Sequence, residues 1–161
     1  MNRKINMKGI DVSLPARRIS RLRHLVCDFT GTLSRDGRLL PGVATRLRKL
    51  ARKVSVLVVT ADTFETARQA LAGLPVEVHL VRTGRDKARL VAENGPQTVA
   101  AIGNGQNDVA MFRKVKLGIA VIGPEGCAAE LLAVADIAVR DVRDGLDLLL
   151  HPLRIKATLR K

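Results

Sequence analysis

Short apolar runs alternate along the chain with longer stretches in which apolar residues recur at the spacing of a helix. An apolar run bounded by turn residues is typical of a strand buried on both faces, and helical spacing is typical of a helix that buries one face. The predicted strands are 25–29, 54–59, 76–81, 98–102, 117–122 and 136–139, and the predicted helices are 43–53, 64–71, 85–94, 108–114, 124–133 and 142–150. Strands that alternate with helices indicate right-handed βαβ units. We therefore expect an α/β fold, a Rossmann-like three-layer sandwich around a mostly parallel sheet.

The N-terminal part of the chain has a different pattern. Residues 10–14 and 18–22 alternate between apolar and polar side chains on either side of Pro15-Ala16, which predicts a β-hairpin before the first core strand. No linker or repeat divides the chain, and 161 residues suit one domain with a core of its own. The expected parts are an N-terminal lead and hairpin over 1–23, a core over 24–150 and a basic C-terminal tail over 151–161.

The first core strand ends at a carboxylate, Asp28, and a turn containing Gly31 follows at once. A parallel strand presents its last side chains in the crevice beyond the carboxyl edge of the sheet, where α/β folds bind ligands. The backbone N–H groups of a glycine-containing turn in this position form a concave site for an anion. A carboxylate beside an anion site indicates phosphoryl transfer, in which Asp28 attacks phosphorus and a cation offsets the repulsion.

The segment Asp28-Phe29-Thr30-Gly31-Thr32 resembles the first motif of the haloacid dehalogenase superfamily, Asp-x-Asp-x-Thr, with Thr30 in place of the second Asp. In this respect it is similar to the Asp-Lys-Thr-Gly-Thr of P-type ATPases. Segments that resemble the other motifs follow in order: Thr60-Ala61-Asp62 after the second core strand, Lys87 near the start of a helix, and Gly103-Asn104-Gly105-Gln106-Asn107-Asp108. The segments 148–154 and 157–160 look like the C-terminal signature of the soluble, P-type-ATPase-like branch.

The resemblance implies a Mg²⁺-dependent phosphatase that forms an aspartyl-phosphate on Asp28. It implies catalytic roles for Asp28, Thr30, Thr60 and Lys87, substrate binding by Gly31, Thr60, Ala61, Lys87 and Asn107, and metal binding by Asp28, Thr30, Asn104 and Asp108. Mg²⁺ prefers oxygen ligands, and Asn104, which replaces an Asp of the motif, still offers a neutral carbonyl oxygen. Because the Thr30 hydroxyl has no useful acid–base range, we expect slow turnover.

The intervals in which the superfamily carries its cap domains are short in this sequence. Neither 34–56 nor 61–86 is long enough for a sizeable inserted domain, so the resemblance implies a capless core with an open site. The interval 61–86 holds one predicted helix, with Thr63 as its predicted cap. An open site suits a bulky or macromolecular phosphorylated substrate, or a cover contributed by another subunit of a homo-oligomer.

The chain carries a net charge of +13, with basic clusters at 17–23, 46–53 and 154–161. Such a charge attracts polyanions, so a nucleic-acid-associated protein stays open as an alternative function. The sequence has no Trp, no Tyr and three Phe, which argues against a dedicated single-strand binder because stacking platforms are scarce. The other alternative is a phosphate-binding regulatory domain that barely turns over. Thr30 and Asn104 favour it, whereas Asp28 and Lys87 argue for an enzyme.

The sequence shows neither a clear targeting segment nor a clear cysteine motif. No apolar run approaches the ~20 residues that a membrane helix needs, and the basic N-terminus lacks the pattern of a secretory signal. Cys27 and Cys127 lie in different settings, which indicates neither a disulfide framework nor a zinc site. We expect a cytoplasmic protein without a membrane segment.

Overall fold

The computed structural model describes residues 7–14, 17–61 and 64–160. Its strands are β1 (Ile10–Leu14), β2 (Arg17–Leu22), β3 (His24–Asp28), β4 (Ser34–Arg35), β5 (Arg38–Leu39), β6 (Ser55–Thr60), β7 (Glu77–Leu80), β8 (Val99–Gly103), β9 (Leu117–Val121) and β10 (Ile137–Val139). Its α-helices are α1 (Val43–Leu50), α2 (Phe64–Ala70), α3 (Gly84–Glu93), α4 (Val109–Phe112), α5 (Ala129–Val134), α6 (Val142–Leu150) and α7 (Pro152–Leu159). Short 3₁₀ turns cover Pro96–Thr98 and Gln106–Asp108.

The central sheet has six parallel strands in the order β10-β9-β8-β3-β6-β7. The chain adds β6 and β7 on one side of β3 and then returns to add β8, β9 and β10 on the other side. The winding therefore reverses at β3, and an open α/β sheet forms its ligand crevice at such a reversal. Because Cys27 is in register with Val58 on one side and with Ile102 on the other, β3, β6 and β8 end at the same edge.

Side chains on the core strands alternate between two helical layers. Cys27, Val58 and Ile102 belong to the apolar cluster that contains α1, α2, α6 and α7. Val26 and Ala101 belong to the cluster on the opposite face, with α3, α4 and α5. Successive residues of a strand point to opposite faces, so a sheet covered on both sides needs apolar residues at nearly every position. The predicted three-layer α/β sandwich is confirmed.

The predicted N-terminal hairpin is also confirmed, since β1 and β2 pair antiparallel with Ile10 opposite Leu22. The segment expected as a basic C-terminal tail contains α7, which packs against β1. The helix begins at Pro152, whose fixed φ suits the first turn of a helix, and Ile155 is fully buried in the cluster that also holds Ile10. Ile155 and the partly buried Leu159 pack on this cluster, and two such positions among basic residues are too weak a periodicity to reveal a helix.

The predicted helix over 124–133 was wrong in its first half. Residues 123–126 form a turn closed by a bridge between Gly123 and Gly126, and the helix begins at Ala129. Gly126 has a φ of 78°, which glycine adopts without strain, and Pro124 favours the same turn. The predicted helix over 108–114 is replaced by a 3₁₀ turn over Gln106–Asp108 followed by the short α4.

Residues 34–39 form a small hairpin in which β4 pairs with β5. Asp36 and Gly37 have φ angles of 50° and 74°, and two successive positive φ values are typical of a type I′ hairpin turn. This β4–β5 hairpin and α1 occupy the described chain between β3 and β6. The predicted cap at Thr63 and the predicted turn at Pro15-Ala16 lie outside the described residues.

Within the described ranges, none of the helices combines the length and the apolar character that a bilayer-spanning helix requires.

We expect Ile155→Ala to lower the free energy of unfolding by about 2–5 kcal/mol, because it leaves a cavity beneath α7. Leu153→Ala on the same helix is the matched control, since Leu153 is 79% exposed and its loss should change that free energy by less than about 0.5 kcal/mol. Urea denaturation of the two variants measures both values. Equal effects would show that α7 does not contribute to the core.

Candidate active site

The predicted site residues converge at the carboxyl edge of the central sheet. Asp28 ends β3, Thr60 ends β6, and the turn that carries Asp108 follows β8. Asp28 is 6% exposed, Lys87 1% and Asp108 0%, and Thr60 is also buried. Polar groups are rarely buried without a partner. The contacts among these side chains therefore define the site.

Lys87 joins the two carboxylates. Its Nζ donates to Asp28 Oδ1 at 2.7 Å and to Asp108 Oδ1 at 2.6 Å. Helix α3 presents Lys87 from its first turns, and a capping box fixes where the helix begins: Thr83 Oγ1 accepts from the Asp86 N–H, and Asp86 Oδ2 accepts from the Thr83 N–H. The predicted position of the lysine near a helix start is thus what brings it to Asp28.

Gly84 lets the start of α3 approach the turn after β8. A Cβ at this position would lie 2.8 Å from the carbonyl oxygen of Asn107, closer than non-bonded atoms tolerate. The helix can therefore rest against the backbone of the residue that precedes Asp108. This close approach sets the short reach between Lys87 and Asp108.

Asp108 is held by the backbone of its own turn. Its Oδ2 accepts from the N–H groups of Asn104 at 3.1 Å and Gly105 at 3.0 Å, and a Cβ on Gly103 would collide with that oxygen. The glycine of the motif therefore makes room for the carboxylate that closes the motif. Because Asp108 is fully buried and both of its oxygens accept hydrogen bonds, its geometry is that of a group that positions Lys87 rather than one that faces solvent.

The charges of this cluster do not balance, because one ammonium serves two carboxylates. Burial, together with the neighbouring Asp108, raises the pKa of Asp28 to about 7, against the opposing effect of Lys87. Burial alone would lower the pKa of Lys87, but Asp28 and Asp108 hold it above its ordinary value. A cation near Asp28 would remove the surplus negative charge.

The oxygens around Thr32 suit such a cation. Thr32 Oγ1 lies 3.2 Å from Asp28 Oδ2 and 3.1 Å from Asn104 Oδ1. A hydroxyl has one proton, so it satisfies one of these acceptors at a time. A set of carboxylate, hydroxyl and amide oxygens with too few protons fits a hard divalent cation. In the described part of the chain, no cluster of three or more His, Cys, Asp or Glu side chains forms a metal site, so neutral oxygens would complete this one.

The remaining predicted site residues are less enclosed. Gly31 is buried with a φ of 73°, Ala61 is half-buried, and Thr30 is exposed. Asn107 is exposed, and its Oδ1 would lie 2.8 Å from a Cβ on Gly105, so its side chain covers the turn rather than joining the Lys87 cluster.

Two residues of the site were missed in the sequence. Thr32 stands inside the first motif, so its place in the Asp-x-Asp-x-Thr pattern was a usable signal. Glu125 lies far along the chain inside a stretch predicted as helix, yet its Oε2 occupies the space that a Cβ on Gly31 would take. A carboxylate placed there by a turn after β9 leaves no local pattern in the sequence.

Residues 90–141 match the protein family described as haloacid dehalogenase-like hydrolase. An uncharacterized protein of Methanocaldococcus jannaschii is 46% identical over 71 residues, which make up 44% of this chain and 76% of that protein. A phospholipid-transporting ATPase of Schizosaccharomyces pombe is 41% identical over 58 residues, which make up 36% of this chain and 4% of the ATPase.

In three dimensions the chain is similar to the cobalt-bound deoxy-D-mannose-octulosonate 8-phosphate phosphatase of Haemophilus influenzae, with a TM-score of 0.66. The two chains are 14% identical, and the match covers 87% of this chain and 94% of that one. At this identity the likeness concerns the fold.

We expect Lys87→Met to lower the free energy of unfolding by about 3–5 kcal/mol in metal-free buffer near neutral pH, because it leaves two buried carboxylates unpaired. Asp28→Asn is the matched variant. It leaves one ammonium facing one carboxylate, so the free energy of unfolding should change by about 1 kcal/mol or less. Urea denaturation with a chelator present measures both values, and an equally large loss in Asp28→Asn would contradict the charge count.

Proposed function

Because the chain belongs to the superfamily of haloacid dehalogenase-like hydrolases, we propose that it is a Mg²⁺-dependent phosphohydrolase that cleaves phosphomonoesters through an aspartyl-phosphate on Asp28. The observation that carries the proposal is the contact of one buried ammonium, Lys87 Nζ, with Asp28 and Asp108 at the carboxyl edge of the sheet. A buried carboxylate that ends the central strand at the reversal of the sheet is well placed to meet a ligand in the crevice.

Asp28 is the nucleophile. Lys87 binds Oδ1 and Thr32 approaches Oδ2, so both oxygens are held in fixed directions before substrate arrives. One carboxylate oxygen attacks phosphorus, the ester P–O bond breaks, and the alcohol oxygen leaves with the bonding electrons and takes up a proton. Water then attacks the phosphorus of the aspartyl-phosphate, which releases inorganic phosphate and regenerates the Asp28 carboxylate.

We assign charge neutralisation to Lys87, and contacts to phosphoryl oxygens to the Thr60 hydroxyl and to the Gly31 and Ala61 backbone. We also assign substrate binding to Asn107, whose side chain is exposed.

The ligands that the resemblance implies, Asp28, Thr30, Asn104 and Asp108, would hold the Mg²⁺ ion, and Asp108 would also anchor Lys87. The Thr32 hydroxyl lies within hydrogen-bond distance of Asp28 and Asn104, so its oxygen is close enough to join them. When bound, the ion supplies positive charge that offsets the repulsion between the Asp28 carboxylate and phosphate. Asn104 contributes a neutral oxygen where a carboxylate would bind more strongly, which favours modest metal affinity.

Thr30 makes the proposed enzyme slow. It stands where the superfamily has an aspartate that exchanges protons with the leaving group and with water, and a threonine hydroxyl cannot do so near neutral pH. The absence of this proton exchange favours a long-lived aspartyl-phosphate. The same feature favours the alternative of a phosphate-binding regulatory domain, and the two functions differ in whether any Asp28-dependent turnover occurs.

The proposal is tested by turnover of a panel of phosphomonoesters with and without Mg²⁺. We expect Asp28→Asn to abolish the activity because an amide is nearly isosteric with a carboxylate but a poor nucleophile. Asp36→Asn, a substitution of an exposed aspartate at the tip of the β4–β5 hairpin, is the matched control and should keep the wild-type rate. Turnover that survives in Asp28→Asn would exclude Asp28 as the nucleophile, and no turnover in the wild type would favour the regulatory alternative.

A second prediction concerns Thr30. Thr30→Asp places an acid–base group beside Asp28, so the trapped aspartyl-phosphate should decay about 10-fold faster, well within the range of general acid–base catalysis. Thr30→Asn is the control, since it has the shape of the aspartate without its proton exchange. Single-turnover decay measures the three rates, and an aspartyl-phosphate that decays no faster in Thr30→Asp would mean that Thr30 does not limit hydrolysis.

A further inference from the structure

A cavity of about 190 Å³ lies beside the site and is lined in part by Thr32. Three parts of the fold line this cavity. They are the β4–β5 hairpin with Arg35, the turn after β9 with Gly123 and Pro124, and the segment from Arg140 to Arg143, which leads into α6. None of the residues given a role in the sequence analysis lines this cavity, and the proposed chemistry at Asp28 does not use it.

The cavity has an excess of positive charge. Arg143 donates to both oxygens of Asp141, the acidic residue in the lining, so this pair is neutral. Arg140 makes no hydrogen bond or ion pair with any residue that the structure describes. Among the residues that the structure describes, Arg35 has one ionic neighbour, Asp36, at 4.0 Å, and both side chains are largely exposed, so that pair contributes little. Two arginines, Arg35 and Arg140, therefore line the cavity without an effective ionic partner among the described residues.

Apolar side chains also line the cavity. They belong to Leu40, Val121 and Val142, and the volume is small for a whole ligand. A guanidinium group recognises carboxylate and phosphate oxygens through paired N–H donors. The lining is therefore suited to a single anionic group at the end of a short carbon chain, and it offers little to an extended polyanion.

Thr32 links this cavity to the nucleophile. It lines the cavity, and its hydroxyl lies 3.2 Å from Asp28 Oδ2. We propose that the cavity is a subsite for a second anionic group, a carboxylate or a second phosphate, carried by the same phosphate ester whose phosphate meets Asp28. This inference rests on the proposed function. It narrows the substrate class to phosphate esters that bear another anion.

Two matched pairs of esters test the subsite at two lengths. Each pair differs by one group: glycerol 3-phosphate against 3-phosphoglycerate, and glucitol 6-phosphate against 6-phosphogluconate, in which a carboxylate replaces a neutral hydroxymethyl group. In at least one pair we expect the acidic ester to have a kcat/KM about 10-fold higher than the neutral ester, the size of one charge-assisted contact.

Arg140→Gln and Arg35→Gln should each bring that ratio close to one while leaving the neutral ester almost unchanged. Arg38→Gln is the matched control, because Arg38 pairs with Arg35 across the β4–β5 hairpin, is exposed and does not line the cavity. Loss of the ratio in Arg38→Gln as well would assign the effect to the general positive field and overturn the subsite. A ratio near one in the wild type for both pairs would also overturn it.

Calorimetry with the Asp28→Asn variant compares the binding affinities for the acidic and the neutral esters in the absence of turnover. One outcome separates the two proposals. If the wild type lacks Asp28-dependent turnover, but Asp28→Asn binds the acidic ester more tightly than the neutral ester and loses this preference when Arg140→Gln is added, the proposed reaction fails and the subsite stands. If turnover is present and binding does not distinguish the two esters, the subsite fails. Sulfate is the probe for a separate anion. If sulfate changes turnover of the neutral ester in the wild type but not in Arg140→Gln, and the acidic ester is not preferred, the cavity binds a separate anion and the proposal is overturned.

Discussion

The structure of the site depends on an ammonium shared by two carboxylates that are almost completely removed from water. Each of these charges would be very unfavourable to bury alone, and Lys87 makes the burial of Asp28 and Asp108 tolerable. The three groups come from β3, from α3 and from the turn after β8, so the contact joins the centre of the sheet to one helical layer. Since two negative charges meet one positive charge, the cluster is left attractive to a further cation.

The glycines of the site matter as much as its charged residues, because they have no side chain to fill the space that the site needs. Gly103 leaves room for the Asp108 carboxylate to fold back onto the backbone N–H groups of its own turn, and Gly84 lets α3 approach that turn. Gly31 has a positive φ, and the Glu125 side chain occupies the space beside it. A larger residue at this position would therefore strain the backbone and clash with Glu125. Space at these positions is a condition for the distances between Lys87 and its partners.

The sequence predicted those features that follow from the repeating geometry of a parallel sheet. Buried strands appear as apolar runs, and polar residues that end them must meet at one edge, so Asp28, Thr60 and the turn before Asp108 could be placed together in advance. The resemblance supplied Lys87. The direction of a side chain within a turn follows no such repeat, so the contacts of Asp108 with Lys87 and with the backbone of its own turn could not be predicted. Arg35, Arg140 and Glu125 reach the site region from segments without a shared pattern. The helical spacing of apolar residues over 124–133 concealed a turn that Pro124 and Gly126 favour.

The central position of β3 has a consequence for how the chain acquires this site. The two neighbours of β3 are β6, which comes soon after it in sequence, and β8, which comes much later. During synthesis one edge of the strand that carries Asp28 therefore has unpaired N–H and C=O groups until β8 has emerged, and an open strand edge promotes association with other chains. Lys87, which precedes β8, and Asp108, which follows it, also emerge long after Asp28. A partly synthesised chain thus has the Asp28 carboxylate at the end of an incomplete sheet. The pairing of β8 with β3 and the assembly of Asp28, Lys87 and Asp108 become parts of one cooperative step.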